Sequence, residues 1–159
     1  MTVAKLTGEM IKYFSKLSLV EHALKVYSYA YSIAVMEGIG GDDLLTIQCA
    51  AILHDIGIPN AIKIHGSGKG PFQEKEGALL VPEFAALANI PEALAPRITW
   101  LVGNHHTHEK CGEDILLQIL MEADYLVNLS ESPDRYKVDE VKGFFKTKTG
   151  KEYLACLFF

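Results

Sequence analysis

The chain has 159 residues, 49% of them apolar and 22% charged, with a formal net charge of −5. That length supports one hydrophobic core and is short for two ordinary domains, so residues 1–159 are read as a single domain and disorder is not expected. The acidic balance argues against a general nucleic-acid binder, which needs an excess of Lys and Arg to displace phosphate counterions.

Thr7 reads as the N-cap of a first helix running to about Lys16, with Met10, Ile11 and Phe14 on its inner face. Ser18-Leu19-Val20-Glu21 has the form of a capping box and places the start of a second helix. His22 follows in the first turn and shares an apolar stripe with Val26, Ala30 and Ile33; taken alone, such a histidine is more often a core residue bonded to a carbonyl. Gly38-Ile39-Gly40-Gly41 breaks that helix, and Asp42 or Asp43 is placed to cap the next. Leu44, Leu45, Ile47 and the run from Ala50 to Leu53 cover nearly the whole circumference of this third helix, which marks it as central and buried.

The third helix ends in His54-Asp55. A buried imidazole and carboxylate need partners to offset their desolvation, and a divalent cation satisfies both. Gly57 is positioned to end the helix in the left-handed conformation, leaving last-turn carbonyls whose partial negative charge favours a cation. The following His65-Gly66-Ser67-Gly68-Lys69-Gly70-Pro71 lacks the strand, the glycine spacing and the Ser or Thr after lysine of a phosphate loop. With Lys63, His65 and Lys69 it is read either as a segment that closes over an anion or as a solvated loop.

Gln73 to Ala88 is expected to be helical, split or kinked at Gly77 and Pro82. Helix resumes through Pro96 to Val102, with Ile98, Leu101 and Val102 inward, and is followed by His105, His106 and an exposed His108. A helix from Glu113 to Leu129 has a broad apolar face containing Ile115, Leu116, Ile119, Leu120, Ala123, Leu126 and Val127, with Asp124 set among them. Buried there, Asp124 either rotates to solvent or binds something. Ser132-Pro133 is expected to start another helix, and the box Thr149-Gly150-Lys151-Glu152 a last one from Tyr153 to Phe159. The Leu157-Phe158-Phe159 end docks on the core or makes a homo-oligomer contact.

No strand-like alternation occurs, so the fold class is all-α, a bundle of about seven helices. Cys49, Cys111 and Cys156 form no Cys-x-x-Cys pair and indicate neither a disulfide framework nor a thiolate zinc site; reduced thiols in a cytoplasmic protein fit best. No apolar run reaches membrane-spanning length, and no membrane partner is expected.

The ordered set His22, His54-Asp55 and Asp124, with Ala50-Ala51-Ile52-Leu53 before the pair, Ile56-Gly57 after it, His105-His106, and Glu122-Ala123-Asp124-Tyr125-Leu126, resembles the HD-domain superfamily of metal-dependent phosphohydrolases. The resemblance covers about positions 18 to 130, leaves 131–159 as C-terminal helices, and extends to small stand-alone bacterial HD-domain proteins. It implies that His22, His54, Asp55 and Asp124 bind one divalent transition metal; mixed nitrogen and oxygen donors suit Mn, Fe, Co, Ni or Zn. Members with two metals add two histidines, and here His105 or His106 is available while Glu76-Gly77 stands where the first would be expected. A second metal is therefore left open, and Glu76 is read as a ligand, a general acid or base, or a surface charge.

The implied activity is hydrolysis of a small phosphate ester, with nucleotides as candidates, by attack of metal-bound water, whose pKa falls toward about 7 in favourable zinc sites. The implied catalytic residues are Asp55, His105, His106 and Glu76, and Lys69, His105 and His106 are the candidates for holding the phosphorylated substrate. Two alternatives stand beside this: a non-catalytic metal- or ligand-binding HD module, and a di-iron HD-type oxygenase.

Overall fold

The core is built around a helix whose last two turns are buried at every position but Gln48. In the computed structural model, which describes residues 1–110 and 112–159, helix α3 (Gly41–Leu53) buries Thr46, Ile47 and every residue from Cys49 to Leu53. Each large apolar side chain so buried contributes about 1.5–3 kcal/mol relative to exposure. Around α3 pack α1 (Thr2–Phe14), α2 (Leu17–Met36), α6 (Ala95–Val102) and α7 (Ile115–Glu131). The remaining helices are α4 (Ile58–His65), α5 (Gly70–Leu87), α8 (Val138–Val141) and α9 (Lys148–Phe158). The described residues thus hold nine α-helices rather than about seven, and no strand; the class is all-α. The element not anticipated is α4, hidden in sequence between the His-Asp pair and the glycines, while the four-residue α8 is what forms of the helix expected from Ser132-Pro133.

Helix α4 continues from α3 at a bend of 43°, through a turn that carries His54 and Asp55. Gly57 does not take the left-handed conformation expected of it: its φ is −75°, and it is the N-cap of α4. Its need for glycine is steric, since a Cβ there would lie 2.1 Å from the Gln73 carbonyl oxygen and 2.4 Å from the Gly77 amide. This approach presses α5 against the turn and brings Gln73 to the site.

Helix ends are where the sequence misleads. Thr7 lies inside α1, with its hydroxyl donating to the Val3 carbonyl, and Ile11 is exposed. The Ser18–Glu21 box does not form, because α2 begins at Leu17 after the short link Ser15–Lys16, which puts Ser18 within the first turn. Gly40 rather than Asp42 or Asp43 precedes α3; the two aspartates sit in its first turn, favourably for the helix dipole. Helix α5 runs unbroken through Gly77 and Pro82, with Val81, Phe84 and Ala85 buried beside the proline. Asp114 caps α7 by accepting from the Leu116 and Leu117 amides, which turns Ile115 outward. Ser132-Pro133 opens a turn, not a helix.

Thr147, not Thr149, caps α9, and the Thr149 amide and hydroxyl donate to Glu37 at 2.7 and 2.6 Å. The carboxylate of Glu122, fully buried in α7, anchors this C-terminal segment. Its Oε1 accepts from Gln118 Nε2 at 2.7 Å and from the Lys146 and Thr147 amides at 2.5 and 2.9 Å. Phe158 packs against the core, whereas Leu157 and Phe159 are exposed. Cys49 and Cys156 are free thiols, and Cys111 lies outside the described residues. Among the described residues no single helix is long and apolar enough to cross a membrane.

Candidate metal centre

Two helices and the turn after α3 bring four polar side chains together in the interior. His54, fully buried at the end of α3, donates its Nδ1 proton to the Ala51 carbonyl at 2.8 Å, which fixes the tautomer and aims the Nε2 lone pair inward. His22, one turn into α2, places Nδ1 2.9 Å from Glu131 Oε2 and Nε2 3.1 Å from Asp124 Oδ1. Glu131 lies two turns beyond Asp124 on α7 and also accepts from Lys25 Nζ at 2.9 Å. Asp124 Oδ1 is further held by the Asn128 side-chain amide at 2.8 Å. The adjacent His54 and Asp55 reach a common point because the chain turns there.

The spacing of these atoms is close to what a shared ion requires. His22 Nε2 is 3.3 Å from His54 Nε2 and 3.6 Å from Asp55 Oδ2; His54 Nε2 is 3.5 Å from Asp55 Oδ2 and 3.7 Å from Asp124 Oδ1. Donors about 2.0–2.2 Å from one divalent ion are roughly 3.0–3.6 Å apart, depending on geometry. Glu131 and the Ala51 carbonyl engage the two Nδ1 atoms, so both Nε2 atoms, 3.3 Å apart, are directed at one point that a shared cation could occupy. His22, His54 and Asp124 form one group able to hold a metal ion, and Asp55, His105 and His106 a second.

A family model described as HD domain matches residues 19–129. The chain belongs to the HD-domain family. No curated protein and no solved structure matches the chain. HD domains are in general metal-dependent phosphohydrolases, and this one carries the His and Asp groups that can hold a divalent metal.

In the HD domain's second group, His105 repeats the device seen at His54: its Nδ1 donates to the Val102 carbonyl at 2.8 Å, and its Nε2 lies 3.6 Å from Asp55 Oδ1. Gln73 enters this group. Its side-chain nitrogen donates to Asp55 Oδ1 at 3.0 Å, lies 3.2 Å from His105 Nε2, and also meets His106 Nε2. Sequence reasoning missed Gln73 and put forward Glu76, one turn later on α5. Glu76 is buried, but it pairs with His65 at 2.9 Å, and His65 stacks on Phe72. Glu131 was missed as well; the available signal was its seven-residue spacing from Asp124, two turns along the same helix face.

The electrostatics of the cluster call for positive charge. Burial opposes protonation of His22, but the hydrogen bond and charge of Asp124, with Asp55 and Glu131, outweigh it and raise its pKa to about 9. Burial would raise the Asp55 and Asp124 carboxyls, yet the surrounding imidazoles hold both below the usual carboxylate range. His54 is pushed down chiefly by burial, and His106 falls to about 3 through burial and the neighbouring His105. His105 is raised, because the Asp55 carboxylate outweighs its burial. Protein groups alone thus keep both carboxylates ionised and draw a proton onto His22, as a site built for a cation would.

The cluster opens into a polar pocket of about 350 Å³. His22, Asp55, Asp124, Gln73 and His106 line its depth, while Lys69 and His108 line it from the loops before α5 and after α6. Arg135 and Tyr136 line it from the turn after α7. His108 is exposed, as expected, and its ring also meets the Tyr125 hydroxyl at 2.9 Å.

Proposed function

We propose that this HD domain hydrolyses a small phosphate ester, with nucleotides among the candidates, using one divalent transition metal held by His22, His54, Asp55 and Asp124. The observation that carries the reading is that His22 Nε2 and His54 Nε2 lie 3.3 Å apart and each within 3.1 to 3.7 Å of both the Asp55 and the Asp124 carboxylates, at the base of an open polar pocket. A structural metal site is closed, whereas a catalytic one leaves a face for substrate.

When bound, the ion supplies Lewis acidity and a lowered pKa for water. The chain's own groups do the rest. Asp55 is oriented by the Gln73 amide and accepts a hydrogen bond from a water approaching through the pocket. Glu131 keeps the His22 proton on Nδ1, so that Nε2 faces the cluster. Of the His105-His106 pair, His105, whose protonated form the Asp55 carboxylate favours, is the one able to give a proton to the leaving oxygen, while His106 lines the pocket wall. Lys69, on the rim, offsets phosphate charge.

The Gln73 amide favours one ion over two, since its nitrogen occupies the centre of the Asp55, His105 and His106 group. This disfavours the di-iron oxygenase alternative. Phosphate release from nucleotides and generic esters, screened with each candidate ion, tests the function. Turnover that requires metal and disappears in Asp55→Ala supports it. Metal-dependent melting with no turnover on any ester returns the domain to a binding module.

A further inference from the structure

We propose that the substrate is a phosphate monoester, and that Arg135, on the turn just beyond the HD-domain match, selects it together with Lys69. The inference rests on the hydrolase reading above and names the ester class that the same pocket takes.

Charge carries the argument. The charged residues lining the pocket, histidines aside, are Asp55 and Asp124 in its depth and Lys69 and Arg135 at its mouth. One divalent ion cancels the two carboxylates, which leaves the two rim cations to be matched by the ligand. A phosphate monoester near neutral pH carries about two negative charges, its second pKa lying near 6, whereas a diester carries one. A diester would leave one of the two cations unmatched.

Both cations are available. Arg97 is paired with Asp114, Lys25 with Glu131, Lys12 with Glu9 and Lys142 with Asp139. Among the described residues neither Lys69 nor Arg135 has a carboxylate partner. The Arg135 guanidinium lies 5.3 Å from the Tyr136 ring centroid. Its turn is also fixed: the Arg135 and Tyr136 amides both donate to the Ser132 carbonyl at 3.0 Å, and the Tyr136 ring meets Tyr125 edge to face. The planar guanidinium is suited to two parallel hydrogen bonds with phosphate oxygens. The matched family region ends at residue 129, so this side of the pocket belongs to the part of the chain outside the match.

In the reaction, water adds across the ester P–O bond. The bond from phosphorus to the leaving oxygen breaks, that oxygen takes a proton, and inorganic phosphate and an alcohol result.

The test uses the full-length, manganese-loaded chain as wild type, Arg135→Ala and Arg135→Lys, with p-nitrophenyl phosphate and bis(p-nitrophenyl) phosphate as substrates. Inorganic phosphate binding is measured in parallel by calorimetry. Loss of a hydrogen-bonded charge should weaken phosphate binding by about tenfold or more in Arg135→Ala. The kcat/KM for the monoester should fall by a similar factor, mainly through KM, with the diester changed less than about twofold and Arg135→Lys intermediate. Equal losses on both esters, or unchanged phosphate affinity in folded Arg135→Ala, would overturn the proposal. Phosphate affinity that depends on Arg135 in a protein with no turnover on either ester would keep the clamp and reject the hydrolase reading.

Discussion

Replacing Glu131 should weaken metal binding although Glu131 is not itself among the four ligands. Its Oε2 lies 2.9 Å from His22 Nδ1, and its Oε1 accepts from Lys25 at 2.9 Å. Burial would raise this carboxyl, but His22 and Lys25 hold it below the usual glutamate range, so it is ionised at neutral pH. Glu131→Gln keeps an acceptor and removes its charge, and a charge-assisted bond is about twice as strong as a neutral one. Glu131→Ala removes the acceptor and frees the imidazole to rotate or to place its proton on Nε2. Outer partners of metal-bound histidines are worth about 10–100-fold in metal affinity, or about 1.4–2.7 kcal/mol. The glutamine variant belongs near the lower bound and the alanine variant near the upper. Manganese titration by calorimetry at pH 7.5, with circular dichroism to verify folding, reads both. Lys25 is exposed and screened by solvent, so Lys25→Met should change the affinity far less than either Glu131 variant. Dissociation constants within about twofold of wild type in both folded Glu131 variants would refute the argument that this carboxylate orients His22.

Three further outcomes follow from the fold. Gly57→Ala would set a Cβ 2.1 Å from the Gln73 carbonyl oxygen, so α5 must move; a loss of about 3 kcal/mol, or about 6–12 °C in melting temperature, is expected, and an unchanged melting curve would refute it. Glu122→Ala strands the Lys146 and Thr147 amides and should cost about 3–5 kcal/mol by urea unfolding, with α9 losing amide protection first; a loss under about 1 kcal/mol would show that α9 is held otherwise. Asp114 is partly buried, which raises its pKa, but the Arg97 bond and the Leu116 and Leu117 amides outweigh this and lower it below the ordinary aspartate value. A lowered folded-state pKa gives stability that is present above the unfolded value and lost as pH falls through the folded one. Asp114→Ala should therefore melt lower than wild type at pH 7, by about 1 kcal/mol of capping, and the difference should shrink below about pH 4. A difference independent of pH would remove the charge from the explanation.

What the sequence reveals here follows from how each kind of signal arises. Burial is written in side-chain type at helical spacing, so the all-round apolar α3, the inward face of α6 and the placing of His22 on the stripe of Val26, Ala30 and Ile33 could all be read before the fold was known. Caps depend on where the preceding turn delivers the chain. The Ser15–Lys16 link starts α2 early enough to bypass a well-formed Ser18–Glu21 box, and Thr149 is taken up by Glu37, distant in sequence. The cluster was legible because His54-Asp55 and Asp124 are polar groups in apolar runs. Gln73 and Arg135 were not, because an amide in a first helical turn and an arginine in an exposed turn look ordinary until the 2.1 Å constraint at Gly57 and the fold of the turn after α7 bring them to the pocket. Glu76 drew attention through its charge, but it faces His65.

The most direct measurement is the metal content of the chain after loading with manganese and desalting, compared with that of Asp124→Asn. Asp124 is the ligand farthest along the chain from His54 and Asp55, so its participation requires the convergence of α2, α7 and the turn after α3. The account predicts close to one ion per chain in the wild type and almost none in a folded Asp124→Asn. Undiminished metal in that variant would contradict it.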